Sequence, residues 1–327
     1  MKSLLKKITS ESINDNKGSN SYLSILKHST TKTHSTSSFE NRKRRKSARF
    51  IADTIIDKLY YDEYFKSAYK IINIMRNKTS KGVLLVQSLI DHNQYICKIR
   101  EYADDVENEI DVYNILSHKY NINVAFYKEY RKHNDYVYFI IEYVDGDDLY
   151  KYSKKNRFKV SEIKNLVLQI AKGLQFLHKN NILHNDLKLD NIMLDNNSVI
   201  KIIDFDLSRV CEEGEFISSG IFGTPRYIAP ESYDLNIYSK NTDLWAVGII
   251  LHAIITGKFP ININMPIEHS YSNLNRRNFF KHIDKNIIYR YIRKKTIDQS
   301  LCTILMSLLE FNDEKRIKLE TVIEYLS

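Results

Sequence analysis

The 327-residue chain is predicted to adopt an α+β fold, and three features carry that expectation. Strand-like runs cluster in the first half, at 69–75, 83–88, 94–99 and 136–141. Helical periodicity dominates the second half, from Ser161 onward and again from Asp243. Between them lies His184–Asp206, HNDLKLDNIMLDNNSVIKIIDFD, with Asp186 and Asn191 on one loop and Asp204 just after the apolar run 199–203. Transfer of a metal-bound phosphate needs one group to orient and deprotonate a hydroxyl and hard oxygens to hold magnesium. Asp186 suits the first task, and Asn191 and Asp204 suit the second.

Composition bounds the rest. With 43% hydrophobic residues the chain has ample core material. The formal charge of +9 is concentrated at one end, because residues 1–50 hold twelve Lys or Arg against three acids. That segment is rich in Ser, Thr, Asn and Lys, cannot bury enough apolar surface to offset ordering, and is read as a disordered basic tail. Its run Arg42–Lys46 would suit a nuclear address, or contact with nucleic acid or an anionic surface, against the plainer alternative of a solvated charge run. Cys97, Cys211 and Cys302 are widely spaced, which fits free thiols in a reducing compartment. No run is apolar enough for a transmembrane segment, the first residues lack a secretory core, and Lys2 stands where myristoylation needs glycine. The expectation is an intracellular monomer, in cytoplasm or nucleus.

Taken in order, Ile51, Ile55, Ile56 and Leu59 recur at helical spacing and predict a short helix over 51–65. Three strands follow, then a helix over 101–118 whose apolar residues are Ile110, Val112, Tyr113, Ile115 and Leu116. The strand at 136–141 ends in Glu142-Tyr143-Val144-Asp145-Gly146-Asp147-Asp148. Ser161 is placed as the N-cap of a helix with Ile163, Leu166, Val167, Ile170, Leu174 and Leu177 on one face. The helix from Asp243 is apolar all round, so it is expected to be buried.

Five motifs, in order, then carry a resemblance. His184-Asn185-Asp186-Leu187-Lys188-Leu189-Asp190-Asn191 is similar to H-R-D-L-K-x-x-N, and Asp204-Phe205-Asp206 to D-F-G. Gly223–Glu231 matches G-T-x-x-Y-x-A-P-E, Asp243–Gly248 matches D-x-W-x-x-G, and Arg316 stands at a closing arginine. Over roughly residues 66–327 the chain resembles the eukaryotic-type protein kinases, serine/threonine branch. The resemblance implies a two-lobed protein-kinase-like fold, with a β-rich lobe over 66–143 and a mostly helical lobe over 144–327. It implies ATP with Mg2+ in the cleft between them and Ser or Thr hydroxyls of protein substrates as acceptors.

It also implies roles. Asp186 is the base, Lys188 offsets phosphate charge, and Thr224 bridges both. Asn191 and Asp204 hold magnesium. Lys98, paired with Glu109, takes the α- and β-phosphates. Backbone at Glu142 and Val144 takes adenine, with Met193 on the same binding site, and Asp148 takes ribose or a substrate arginine. The glycine-loop pattern falls on 77–84, which assigns Asn77, Gly82 and Leu84 to the nucleotide. His184 is structural, and Arg316 pairs with Glu231.

Three positions depart from the pattern. Only Gly82 survives of the loop glycines, Asn185 replaces the arginine that reads an activation-segment phosphate, and Asp206 replaces the glycine of D-F-G. Two alternatives stay open: a catalytically silent scaffold, and a small-molecule kinase of the choline or aminoglycoside type. Asn185 and Asp206 suit the second alternative. Lys188, Thr224, Glu231 and Arg316, which build a platform for a peptide, oppose it.

Overall fold

The computed structural model describes residues 55–78, 80–133, 135–260 and 298–327; the tail at 1–50 and Ile51 of the first helix lie outside these. A 3-10 helix, Ile55–Tyr61, leads into α1 (Glu63–Ala68), which Asp62 caps by accepting from the Phe65 amide at 2.9 Å. Strands β1 (Tyr69–Asn77), β2 (Lys81–Ser88) and β3 (Gln94–Glu101) follow, then helix α2 (Asp104–Leu116) and strands β4 (Tyr127–His133) and β5 (Tyr136–Glu142). They form one antiparallel sheet in the order β1-β2-β3-β5-β4.

Because side chains alternate along a strand, this sheet has two distinct faces. Leu84, Val86, Cys97, Ile99, Tyr138 and Ile140 point to the outer face and pack on Ile55, Ile56, Leu59 and Phe65. The helical segment before the sheet is therefore part of this lobe's core, and a boundary between residues 65 and 66 falls inside α1. The inner face carries Val83 opposite Lys98, Leu85 opposite Ile96, and Phe139 opposite Lys98 from the other side.

Gly82 sits on the outer face. A Cβ there would lie 2.7 Å from Ile56 Cγ1 and 2.9 Å from Ile99 Cγ2, so the 3-10 helix can approach β2 only over a hydrogen. Gly82→Ala is expected to cost about 1–3 kcal/mol by overpacking, read from denaturant unfolding, with nucleotide affinity unchanged. Wild-type stability in that variant would remove the packing role.

The larger lobe begins with β6 (Gly146–Asp148), α3 (Leu149–Lys155) and the long α4 (Val160–Lys179). The cap of α4 is Lys159, whose amide donates to Glu162 at 2.7 Å, so Ser161 lies inside the helix and is not its cap. Next come β7 (Ile182–Leu183), β8 (Ile192–Asp195), β9 (Ile200–Ile202), β10 (Arg209–Val210) and β11 (Glu215–Ile217). Then follow α5 (Pro230–Leu235), β12 (Ile237–Ser239), α6 (Lys240–Thr256), α7 (Gln299–Leu308) and α8 (Leu319–Leu326). Helix α6 is buried on all sides around Trp245, as its apolarity predicts. Among the described residues no helix is long and apolar enough to cross a membrane.

One buried ion pair ties distant parts of this lobe. Arg316 Nη1 and Nη2 meet Glu231 Oε1 and Oε2 at 2.6 and 3.0 Å. The same guanidinium donates to the Asn241 and Glu310 carbonyls. The pairing expected from the resemblance is thus present, with every donor direction but one taken up.

Candidate active site

Strand β3 supplies the roof of the site. Lys98 Nζ lies 2.6 Å from Glu109 Oε1 and 3.3 Å from Asp204 Oδ1. Glu109 is fully buried on α2, so the helix is docked with its carboxylate turned to the strand. Arg100 shares that carboxylate, with Nη1 3.4 Å from Glu109 Oε2 and Nη2 2.5 Å from Asp105 Oδ2. Sequence reasoning missed Arg100. Its signal was the two-residue step from Lys98, which places both cations on one face of a strand.

The loop after β7 supplies the floor. Asp243 accepts from the amides of His184 and Asn185 at 3.0 and 2.9 Å, and from His178 Nε2 at 2.9 Å. Burial pushes the Asp243 carboxyl up, but His178 and His184 outweigh it and hold the group below the usual range. The His184 ring is 3.2 Å from the Ile203 carbonyl, which makes it a strut beneath the loop. Asn185 and Asp204 both adopt left-handed backbone, with φ of 63° and 66°. Asn185 tolerates this as few residues do, and its side-chain amide donates to the Leu207 carbonyl at 3.0 Å.

Around this floor the expected groups converge. Asp186 Oδ1 accepts from the Thr224 amide at 2.8 Å and from Thr224 Oγ1 at 2.7 Å. Lys188 Nζ bridges Thr224 Oγ1 at 3.0 Å and Asp186 Oδ2 at 2.5 Å. Asn191 Nδ2 donates to the Asp186 carbonyl at 3.0 Å, and the Asn191 carbonyl accepts from Ile203, one residue before Asp204. Burial pushes Asp204 up, yet Lys98, with His184 and Lys188, holds it below the usual carboxylate range, so it is ionised at neutral pH.

At the junction of the lobes, the Glu142 side chain pairs with Lys201 at 2.8 Å and accepts from the Phe126 amide at 2.9 Å. Its backbone amide likewise donates to the Phe126 carbonyl at 2.8 Å. Val144 follows, largely buried. Asp148 is the N-cap of α3: its Oδ1 accepts from the Lys151 amide at 2.8 Å, and Lys151 Nζ pairs with Oδ2 at 2.9 Å. Met193, half-buried on β8, lies opposite Asp148 in the small sheet.

The glycine-loop assignment needs correction. Asn77 pairs with Gly82, Gly82 with Ile99, and Leu84 with Cys97, all on the outer face. Leu84 is completely buried there. Asn77, Gly82 and Leu84 therefore turn away from Lys98, and the pattern laid on 77–84 is out of step with the strand, which exchanges the two faces. The inner positions are Arg76, Lys81, Val83 and Leu85. Lys81 Nζ reaches Asp206 Oδ2 at 3.3 Å, and Asp206 also pairs with Lys98 and lies 3.7 Å from Arg100 Nη1.

The segment after Asp206 is ordered by its own packing. Strand β11 pairs with β12, and Phe222 stacks on Tyr238 with centroids 4.0 Å apart. The Tyr238 hydroxyl donates to the Phe222 carbonyl and accepts from its amide, both at 2.9 Å. Arg209 covers Phe216 at 4.9 Å. Asn185 and Asp206, the two residues that suited a small-molecule kinase, each have a local structural partner here.

Comparison with known proteins agrees with this geometry. The protein kinase domain family matches residues 70–325. A probable serine/threonine-protein kinase PLK of Dictyostelium discoideum is 36% identical over 174 residues, 53% of this chain and 16% of that protein. The SNF1-related protein kinase catalytic subunit alpha KIN12 of Arabidopsis thaliana is 37% identical over 120 residues, 36% of this chain and 24% of that protein. Serine/threonine-protein kinase STY46 of the same plant is 34% identical over 125 residues, 38% of this chain and 22% of that protein. The matched segments span less than a quarter of each of these relatives.

Proposed function

The chain belongs to the protein kinase domain family, and from that premise we propose that it moves the γ-phosphate of ATP, with magnesium, to Ser or Thr hydroxyls of protein substrates. The observation that carries this reading is the bonding of Asp186 to Thr224 and Lys188 on a segment tied down by Glu231 and Arg316. Such a platform positions a peptide hydroxyl, and a small alcohol has no need of it.

The donor set suits the substrate. Asn191 and Asp204 offer hard oxygens to magnesium, and Asp204 is ionised to do so. Magnesium, when bound, neutralises charge on the phosphates. Asp186 orients the acceptor hydroxyl and takes its proton, while Lys188 offsets charge on the transferring group. Lys98, held by Glu109, receives the α- and β-phosphates. Backbone at Glu142 and Val144 would take the adenine, beside Met193, with the ribose toward Asp148.

An acceptor assay with γ-labelled ATP tests the proposal. Label is expected in Ser and Thr of mixed protein and peptide substrates and not in choline or aminoglycosides. Label in the small alcohols alone, or transfer to no acceptor at all, would reverse it.

A further inference from the structure

We propose that Lys81 is a phosphate-binding residue of this cleft, positioned by Asp206, and that it serves in place of the glycines missing from the loop sequence. The inference rests on the kinase reading above. Glycines in such a loop serve by letting backbone amides approach phosphate closely. Here the hairpin between β1 and β2 carries side chains at 77–81, and Gly82 is used for packing on the opposite face. A cation on the same hairpin is a substitute that requires no glycine.

Strand alternation puts Lys81 in the right place. It lies opposite Arg100, two residues before Val83, which lies opposite Lys98, so Lys81, Lys98 and Arg100 share the inner face. Asp206 then joins the first two: one carboxylate oxygen meets Lys98 and the other lies 3.3 Å from Lys81 Nζ. Two ammonium groups that bracket one carboxylate are set at the separation that also brackets one phosphate. Burial lowers the Lys81 pKa, and Arg100 and Lys98 lower it further against the opposing pull of Asp105 and Glu109. The Lys81 side chain is about half exposed, at 48%, and its ion pair is the kind that exchanges partners at small cost. Asp206 touches no acceptor group in this scheme; it holds Lys81 over the cleft.

Calorimetric titration of the full chain with MgATP and with adenosine tests this. Lys81→Met is expected to weaken MgATP by about tenfold or more, the loss of one charge-assisted contact, and to leave adenosine affinity unchanged. Lys81→Arg should restore most of the loss. Wild-type MgATP affinity in Lys81→Met, or equal loss for adenosine and MgATP, would overturn the assignment. In Asp206→Asn the same Lys81→Met change should cost less, because the lysine is no longer held; strict additivity would remove Asp206 as its positioning residue. A wild-type chain that binds adenosine and MgATP alike, or neither, would sink the kinase reading together with this one.

Discussion

In Asp186→Asn, transfer to a protein hydroxyl is expected to fall by about 10²–10⁴-fold, with MgATP affinity at the wild-type level. The substitution keeps the shape of the side chain and one acceptor oxygen. That oxygen can still take both Thr224 donors, so the segment stays docked. What disappears is the basic carboxylate oxygen, which accepts the hydroxyl proton and faces Lys188. Of the groups assigned to the nucleotide and its metal, Lys98, Glu109 and Asp204 make no bond to the Asp186 side chain, and Asn191 meets it only through a long 3.4 Å contact from Nδ2, not through its oxygen. Single-turnover transfer and calorimetry, run on the same preparation, separate the two effects. Turnover near the wild-type value would take the proton-accepting role away from Asp186, and a joint loss of binding and turnover would make the residue structural.

Arg316→Met is expected to destabilise the fold by about 3–5 kcal/mol, because it leaves the Glu231 carboxylate buried with no counter-charge. The arginine is 4% exposed and the glutamate 7%. The guanidinium also satisfies two backbone carbonyls, Asn241 and Glu310, which lose those donors in the variant. Removing the second charge as well, in Arg316→Met with Glu231→Gln, should recover much of the loss, since a neutral pair carries little desolvation penalty. Denaturant unfolding followed by circular dichroism measures both variants against the wild type. A loss below about 1 kcal/mol in Arg316→Met, the range of an exposed pair, would mean that the pair contributes no more than a surface one.

Much of the site was legible because its parts are close in the chain. Asp186, Lys188 and Asn191 occupy one short loop, and a single hairpin, β8 and β9, separates them from Asp204. Their convergence needs little more than local geometry and the left-handed backbone at Asn185 and Asp204. Thr224, Glu231 and Arg316 were reached through the family resemblance that Gly223–Glu231 and the motif around Arg316 carry. The 3-10 helix and α1 were seen as a helix before the sheet, but their burial on its outer face was not. Nothing in their own periodicity distinguishes a flanking helix from a core one.

The sequence by itself determined the α+β class, the strands near 69–75, 83–88, 94–99 and 136–141, the long helices from about 101, 161 and 243, and the acidic and amide groups that line the floor. Those follow from alternation, helical periodicity and side-chain chemistry, which are properties of neighbours in the chain. Only the tertiary structure decided which face of β2 looks into the cleft. That choice moved Gly82 and Leu84 to the outer core and brought Lys81 inward. It also joined Lys81 to Asp206, 125 positions apart, and gave Arg100 its acidic partners Asp105, Glu109 and Asp206. The physical reason is register. A strand offers both faces to solvent or core equally until its pairing with β3 and the packing of Ile56 against it select one.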